Sequence, residues 1–305
     1  MEISQVSPLG AGEVRGLDCS RPFDDETFRA LRAAFATYPI LVFRDQPLTV
    51  PALVAFTKQF GELEISDRSK YAHPDDEAVL ILSNEIRPDG SAVGVVDAGD
   101  FLHSDMQFSP TPATATILQA VRNPARGGDT EFCNMYLVYD ALDAGVRRRA
   151  EGRTAVNHPS KLRNPRVVVS TGRPDAKEYY AASEGRVPDM HHPVIRTHPE
   201  TGKQAVYVSP RFSLSIDGLE PAESDELLDA IFAVMADKQF RYRHTWRDDD
   251  IVMWDNRCLT HRATGGYVLP DIRRMHRTQI QGEVPYFSPA GEPRLSAPAV
   301  APTRR

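Results

Sequence analysis

TATILQAVRNPARGGDTEFCNMY, residues 114 to 136, holds two short apolar or alternating runs, 114–121 and 129–136, on either side of a segment carrying Pro124, Gly127 and Gly128. Runs of this length bounded by turn residues read as β-strands. RGGDTEF, 126–132, reads as a glycine turn entering the second of them, with Thr130 early in that strand. The texture recurs in VLILSN (79–84), GVVDAG (94–99), QAVYVS (204–209), DIVMWDN (250–256) and RTQIQG (277–282). With 24 Pro and 19 Gly in 305 residues, short elements joined by turns are favoured over long helices. The expected class is mainly β with flanking helices (α+β), its many short strands forming a sandwich or barrel.

Outside this β-rich part, residues 24–38 place Phe28, Leu31 and Phe35 at helical spacing behind an acidic start, and 49–60 repeat the design behind Thr49 and an early Pro51. Residues 222–238 read as a third helix with Leu227, Leu228, Ile231 and Met235 inward. The resulting expectation is a single domain over 1–305. It comprises an N-terminal helix and strand region (1–78), a core at about 79–156 and 193–287, an insertion at 157–192, and a loose tail at 288–305. The insertion has little periodicity beyond Val167–Val169, which suits a lid, and 64–75 is a second loop candidate.

A net charge of −6 offers no basic field for nucleic acid or an anionic membrane. Three cysteines, Cys19, Cys133 and Cys258, without C-x-x-C spacing indicate neither a disulfide framework nor a zinc knuckle, and the N-terminal residues lack the pattern of a signal peptide. The expectation is a cytoplasmic, non-membrane protein acting on small molecules.

The pattern His-x-Asp/Glu occurs three times, against about one expected by chance for nine His and 42 acids in this length. His73-Pro-Asp75 and His198-Pro-Glu200 contain a central Pro and read as surface turns. Only His103-Ser-Asp105, within FLHSDMQF (101–108), has strand-like surroundings, where i and i+2 share a face. An imidazole and a carboxylate would then stand side by side as two metal ligands, with His261, in the turn-like NRCLTH after DIVMWDN, as a third. Two His and one carboxylate leave open positions suited to non-haem Fe(II); the alternative is a hydrogen-bonded core histidine and a loop histidine. WDNR (254–257) reads as structural. In DIRRMHRTQIQG (271–282), strand geometry puts Arg273, Met275 and Arg277 on one face and Arg274, His276 and Thr278 on the other. Two like-facing arginines suit an anionic small molecule, or else a solvated basic edge. Read from residues alone, a zinc hydrolase and a non-catalytic jelly-roll module binding a small anion through Arg273 and Arg277 stay open beside the iron enzyme.

Taken in order, FLHSDMQF, RGGDTEFCNM, WDNRCLTHRATG and RRMHRTQIQGE resemble the taurine dioxygenase/TfdA-like family of Fe(II)- and 2-oxoglutarate-dependent dioxygenases. YPILVFRDQPLT (38–49) and FTKQFGELE (56–64) are similar to that family's opening, so the likeness spans most of residues 9–287. The resemblance implies a double-stranded β-helix (jelly roll, cupin-like) and a homo-oligomer, dimer or tetramer. It implies Fe(II) as cofactor with 2-oxoglutarate and O2 as co-substrates, and oxidation of a substrate C–H bond coupled to release of succinate and CO2, giving hydroxylation or cleavage. Carried over residue by residue, His103, Asp105 and His261 would bind metal, Thr130 and Arg273 the distal carboxylate of 2-oxoglutarate, and Arg277 an acidic substrate group. One extra residue before the arginine pair makes Arg274 an alternative to Arg273. GELEISDRS (61–69) puts Ser66 where taurine dioxygenase has a sulfonate-binding histidine, and Gly99 replaces an asparagine, so the expected substrate is another small anion rather than taurine. Tyr71, Met106, Phe108 and Tyr179 are candidate pocket-lining residues.

Overall fold

The computed structural model describes residues 1–66, 69–96, 99–167, 180–181 and 185–295. Its strands are β1 (Glu2–Ser7), β2 (Ala11–Arg15), β3 (Ile40–Phe43), β4 (Ala72–His73), β5 (Asp76–Ser83), β6 (Ala115–Arg122), β7 (Thr130–Asn134) and β8 (Thr154–Asn157). They continue as β9 (Met190–Pro193), β10 (Ile195–Thr197), β11 (Gln204–Val206), β12 (Ser213–Ile216), β13 (Arg241–His244), β14 (Ile251–Asp255), β15 (Leu259–Ala263) and β16 (Arg274–Ile280). An eight-stranded sheet runs in the order β1-β2-β3-β14-β6-β16-β5-β4, and smaller sheets run β13-β7-β15, β12-β8-β9 and β10-β11.

The large sheet is a middle layer because its strands are apolar on both faces. In β14, Ile251 and Met253 join one cluster while Val252 and Trp254 join the other. The same alternation splits Leu41 and Phe43 from Ile40 and Val42 in β3, as a period of two requires. One face is covered by helices α1 (Asp25–Thr37) and α2 (Val50–Lys58), which contribute Leu31, Leu53 and Phe56. Asp24 and Thr49 cap them by accepting from Thr27 N and Ala52 N. The other face packs against Phe132, Cys133 and Leu259 of the β13-β7-β15 sheet, and against α3 (Met135–Ala141) and α5 (Pro221–Ala236), with α4 (Ala144–Ala150) between those two helices in the chain.

Several expectations need correction. FLHSDMQF is not a strand: His103 makes an isolated bridge to His261 and the chain then turns, with Met106 at φ 55°. GVVDAG makes only an isolated bridge, Leu82 with Val95, in its described part. DTEFCNMY stops being a strand at Asn134, whose side chain accepts from Tyr136 N and Leu137 N and starts α3. His261 lies in β15 rather than in a turn. The segment 288–295 is anchored, since Ser288 O accepts from Gln204 Nε2 at 2.7 Å and Tyr286 is buried. Val168, Val169 and Tyr179 lie outside the described residues.

Two buried histidines outside the site make stability depend on pH. Burial pulls His192 down to about 4 against its hydrogen bond to Ser109 O, and burial, with His73 adding, pulls His276 down to about 4. Below about 6.5 the unfolded chain takes up protons that the folded chain refuses until about pH 4, so this stabilisation is complete above 6.5 and lost on the way down. Urea midpoints should therefore fall steadily between pH 6.5 and 4.5. In His192→Gln the slope in that window should be shallower by about 1.4 kcal/mol per pH unit; an unchanged slope would contradict the reading.

Candidate active site

The site is built where the loop carrying His103 is tied to β15. His103 N–H donates to His261 O at 3.1 Å and His261 N–H returns a bond to His103 O at 2.8 Å. This two-way bridge brings the rings to 4.3 Å between centroids. The turn after His103 then swings Asp105 back, leaving His103 Nε2 3.5 Å from Asp105 Oδ1 and His261 Nε2 3.8 Å from Asp105 Oδ2. All three side chains are buried, and their ligand atoms lie within 4.8 Å of one another.

Hydrogen bonds fix the donor set. His103 Nδ1 lies 2.8 Å from Phe101 O, an acceptor that takes the Nδ1 proton and turns Nε2 toward the Asp105 carboxylate. A cation between Nε2 and the carboxylate would be bound by both. Asp105 Oδ2 accepts from Thr116 Oγ1 at 2.6 Å, and Asn256 holds the turn by accepting from Asp105 N at 3.3 Å and donating to Thr116 Oγ1 at 2.9 Å. Burial alone would raise the Asp105 carboxyl, but His261, His103 and Arg277 outweigh it and hold it well below the carboxylate range. Burial, helped by His103, pulls His261 down to about 3 against the opposing pull of Asp105. The residues present fit a divalent metal with nitrogen and oxygen preference.

Beside these ligands is an inner pocket of about 40 Å³ bordered by Thr130, Trp254, Arg273 and Arg277. Thr130 Oγ1 accepts from Trp246 Nε1 at 3.0 Å, so its own proton is left to donate. Arg273 precedes β16 and is buried; its Nε donates to Gly128 O at 2.9 Å. Gly128 has φ 74°, and a Cβ there would stand 3.0 Å from Arg273 Cδ, so the RGGD glycine makes room for the arginine. Burial pulls the Arg273 guanidinium down, and no carboxylate pairs with it among the described residues. Arg274, the alternative, instead pairs with Glu85 at 2.6 Å and is half-buried.

An outer cavity of about 370 Å³ opens from the metal ligands to Glu64, Ser66, Met106, Phe108, Lys161, Tyr180, Arg211, Phe212 and Arg277. Arg277 Nη1 lies 3.6 Å from Asp105 Oδ1, and Arg277 borders both spaces. Of the sequence candidates, Met106 and Phe108 line this cavity, Tyr71 does not, and the described ends of 157–192 do. Sequence reasoning missed Thr116, Trp246, Lys161 and Arg211. Only Thr116 carried a signal, as a hydroxyl on the inward face of an apolar strand. The two Pro-centred motifs separate: His73 and Asp75 sit at a partly exposed turn, whereas His198 is buried against Asp255 at 3.1 Å, so the surface reading of His198-Pro-Glu200 is wrong. WDNR is structural as expected, with Arg257 bonding Asp255 and Glu200.

Comparison with known proteins points one way. The family model described as taurine catabolism dioxygenase TauD, TfdA family matches residues 2–279. The (S)-phenoxypropionate/alpha-ketoglutarate-dioxygenase of Sphingobium herbicidovorans is 34% identical over 284 residues, covering 90% of this chain and 91% of that protein. The alpha-ketoglutarate-dependent 2,4-dichlorophenoxyacetate dioxygenase of Cupriavidus pinatubonensis is 32% identical over 267 residues, 85% of this chain and 90% of its own length. A taurine dioxygenase from Burkholderia xenovorans, known from its crystal structure, has a TM-score of 0.76 at 29% identity, covering 95% of this chain and 94% of its own. The chain belongs to the taurine catabolism dioxygenase TauD, TfdA family of Fe(II)- and 2-oxoglutarate-dependent dioxygenases.

Proposed function

We propose that His103, Asp105 and His261 hold the Fe(II), that Thr130 and Arg273 hold the distal carboxylate of 2-oxoglutarate, and that Arg277 meets an acidic group of a small organic substrate. The observation that carries this is the convergence of the ligand atoms of His103, Asp105 and His261 within 4.8 Å of one another, beside an arginine that no carboxylate pairs with among the described residues. Three protein ligands leave further positions for a co-substrate. Bound Fe(II) with 2-oxoglutarate and O2 supplies the oxidation of a substrate C–H bond, with succinate and CO2 released.

The chain's own residues do the positioning. Thr116 and Asn256 orient Asp105, and Phe101 O fixes the His103 tautomer. Trp246 turns the Thr130 proton outward, and Gly128 O aims the Arg273 fork into the inner pocket, where a carboxylate can be bound bidentately. Arg277 joins that pocket to the outer cavity, so an acidic group bound there stands beside the metal ligands without replacing one. Relatives named for phenoxypropionate and dichlorophenoxyacetate support an anionic substrate. The site's place between the large sheet and the β13-β7-β15 sheet supports the double-stranded β-helix, and the two clusters built on a shared sheet support one domain.

Anaerobic addition of Fe(II) and then 2-oxoglutarate to metal-free protein should give the visible charge-transfer band of a chelated keto acid. At limiting 2-oxoglutarate the band should be lost in Arg273→Ala and kept in Arg274→Ala. A folded, iron-loaded protein without the band would overturn the assignment. Thr116→Val, which removes the orienting hydroxyl from Asp105, should raise the Fe(II) dissociation constant about 10- to 100-fold and also lower the melting temperature, since the Asn256 and Gln279 amides lose their acceptor; unchanged metal affinity would deny Thr116 that role.

A further inference from the structure

Lys161 is one of three charged residues of the outer cavity, with Glu64 and Arg211, that the proposed function leaves without work. Its side chain is 2% exposed, and its Nζ lies 2.6 Å from Oδ2 of Asp100, which is 31% exposed. The ammonium stands 5.6 Å from the Phe101 ring centroid and 5.5 Å from that of Tyr180. An ammonium carries three N–H donors. Among the described residues the only oxygen accepting from this one belongs to Asp100, and the aromatic faces replace water only in part. A buried donor left unmade is costly, so a cavity bordered by such a group is suited to a ligand that completes it.

Position and charge narrow what that ligand group is. Lys161 borders the outer cavity but not the inner pocket, so it acts beyond the space bounded by Thr130 and Arg273. Asp100 already balances its charge, and a substrate carboxylate at Nζ would be forced against that carboxylate. A carbonyl, ether or similar neutral oxygen meets no such repulsion. The nearby walls are aromatic, with Phe108 and Phe212 edge to face at 5.1 Å between centroids, and the Arg211 guanidinium, 4.6 Å over Phe212, donates to Pro159 O at 2.8 Å. A pair serving only to join two loops has no need to border the cavity.

We propose that Lys161 grips a neutral hydrogen-bond acceptor on the substrate, so that the preferred substrate has an acidic head at Arg277, an apolar body, and an uncharged oxygen acceptor at its outer end. This rests on the proposed function and names its substrate class. Lys161 is then a specificity-determining residue, and Asp100 sets the sign of what it accepts.

The test uses two aryloxyacetates of matched shape, 4-acetylphenoxyacetate and 4-isopropylphenoxyacetate, titrated calorimetrically into anaerobic protein carrying Fe(II) and 2-oxoglutarate whose visible band has appeared. The acetyl compound should bind about tenfold or more tightly to the unaltered protein, as expected for one hydrogen bond to a charged group. That ratio should fall to near one in Lys161→Met and recover in Lys161→Arg. A ratio near one in the unaltered protein, no binding of the acetyl compound at millimolar concentration, or equal weakening of both ligands in Lys161→Met would overturn the inference. Should Lys161→Met fail to fold, Asp100→Asn decides: it should improve binding of 4-carboxyphenoxyacetate by about tenfold relative to the acetyl compound, and no change would count against the charge argument. A missing band would instead sink the dioxygenase assignment, and this inference with it.

Discussion

The two-way backbone bridge between His103 and His261 is the constraint on which the site depends. It holds the two imidazole rings 4.3 Å apart between centroids through backbone bonds alone. Its cost is set by what surrounds it: both rings and Asp105 are withdrawn from water, and the carboxylate is kept ionised only by its cationic and hydrogen-bonding neighbours. Such an arrangement needs a rigid backing. Trp254 and Phe132 pack their rings at 4.6 and 6.1 Å from His261, and Thr116 on β6 reaches Asp105 from the large sheet.

Behind this centre lies a second buried polar system that contributes rigidity rather than ligands. Asp255, one residue beyond Trp254, accepts from Arg257 twice and lies 3.1 Å from His198, while Glu200 ties Arg257 to Arg32 on α1. Burial would raise the Asp255 carboxyl, but Arg257 and His198 hold it well below the usual range. Breaking one partner of a fully buried set leaves an uncompensated charge, which is far costlier than the set is stabilising. His198, Asp255 and Cys258 also cluster within metal-ligand distance. The carboxylate is already satisfied by Arg257, and the thiol is pushed well up by burial and by Asp255, so this cluster is an ion network and not a second metal centre.

Much of the fold was legible because the strands of the large sheet are apolar on both faces and the three flanking helices have clear caps or stripes. The helix α3 was not, because its start is a tertiary matter: Asn134 turns a strand-like run into a capped helix packed on α5. The convergence of His103 and Asp105 was legible for a reason that proved only half right. His103 and Asp105 do converge, yet through a bridge and a tight turn rather than through strand alternation, since Met106 takes a left-handed conformation that no periodicity announces. His198-Pro-Glu200 misled for the opposite reason. Its local chemistry is that of a turn, and its burial is decided by Asp255 and Arg257, more than fifty residues away.

The two spaces beside the metal ligands divide the chemistry between parts of the chain with different constraints. The inner pocket is walled by β7, β14, β15 and the start of β16, where a change of one side chain disturbs sheet packing as well as a carboxylate contact. The outer cavity is walled largely by residues outside the strands, Glu64, Ser66, Lys161, Tyr180 and Arg211 among them. Arg277, on β16 but bordering both, is the point at which they meet. A substrate group bound to it is measured from the fixed side while its remainder is judged from the variable side. A fold of this kind can therefore change what it oxidises without changing how, and what distinguishes one substrate from another is to be sought in the loop residues around the proposed anchor at Arg277.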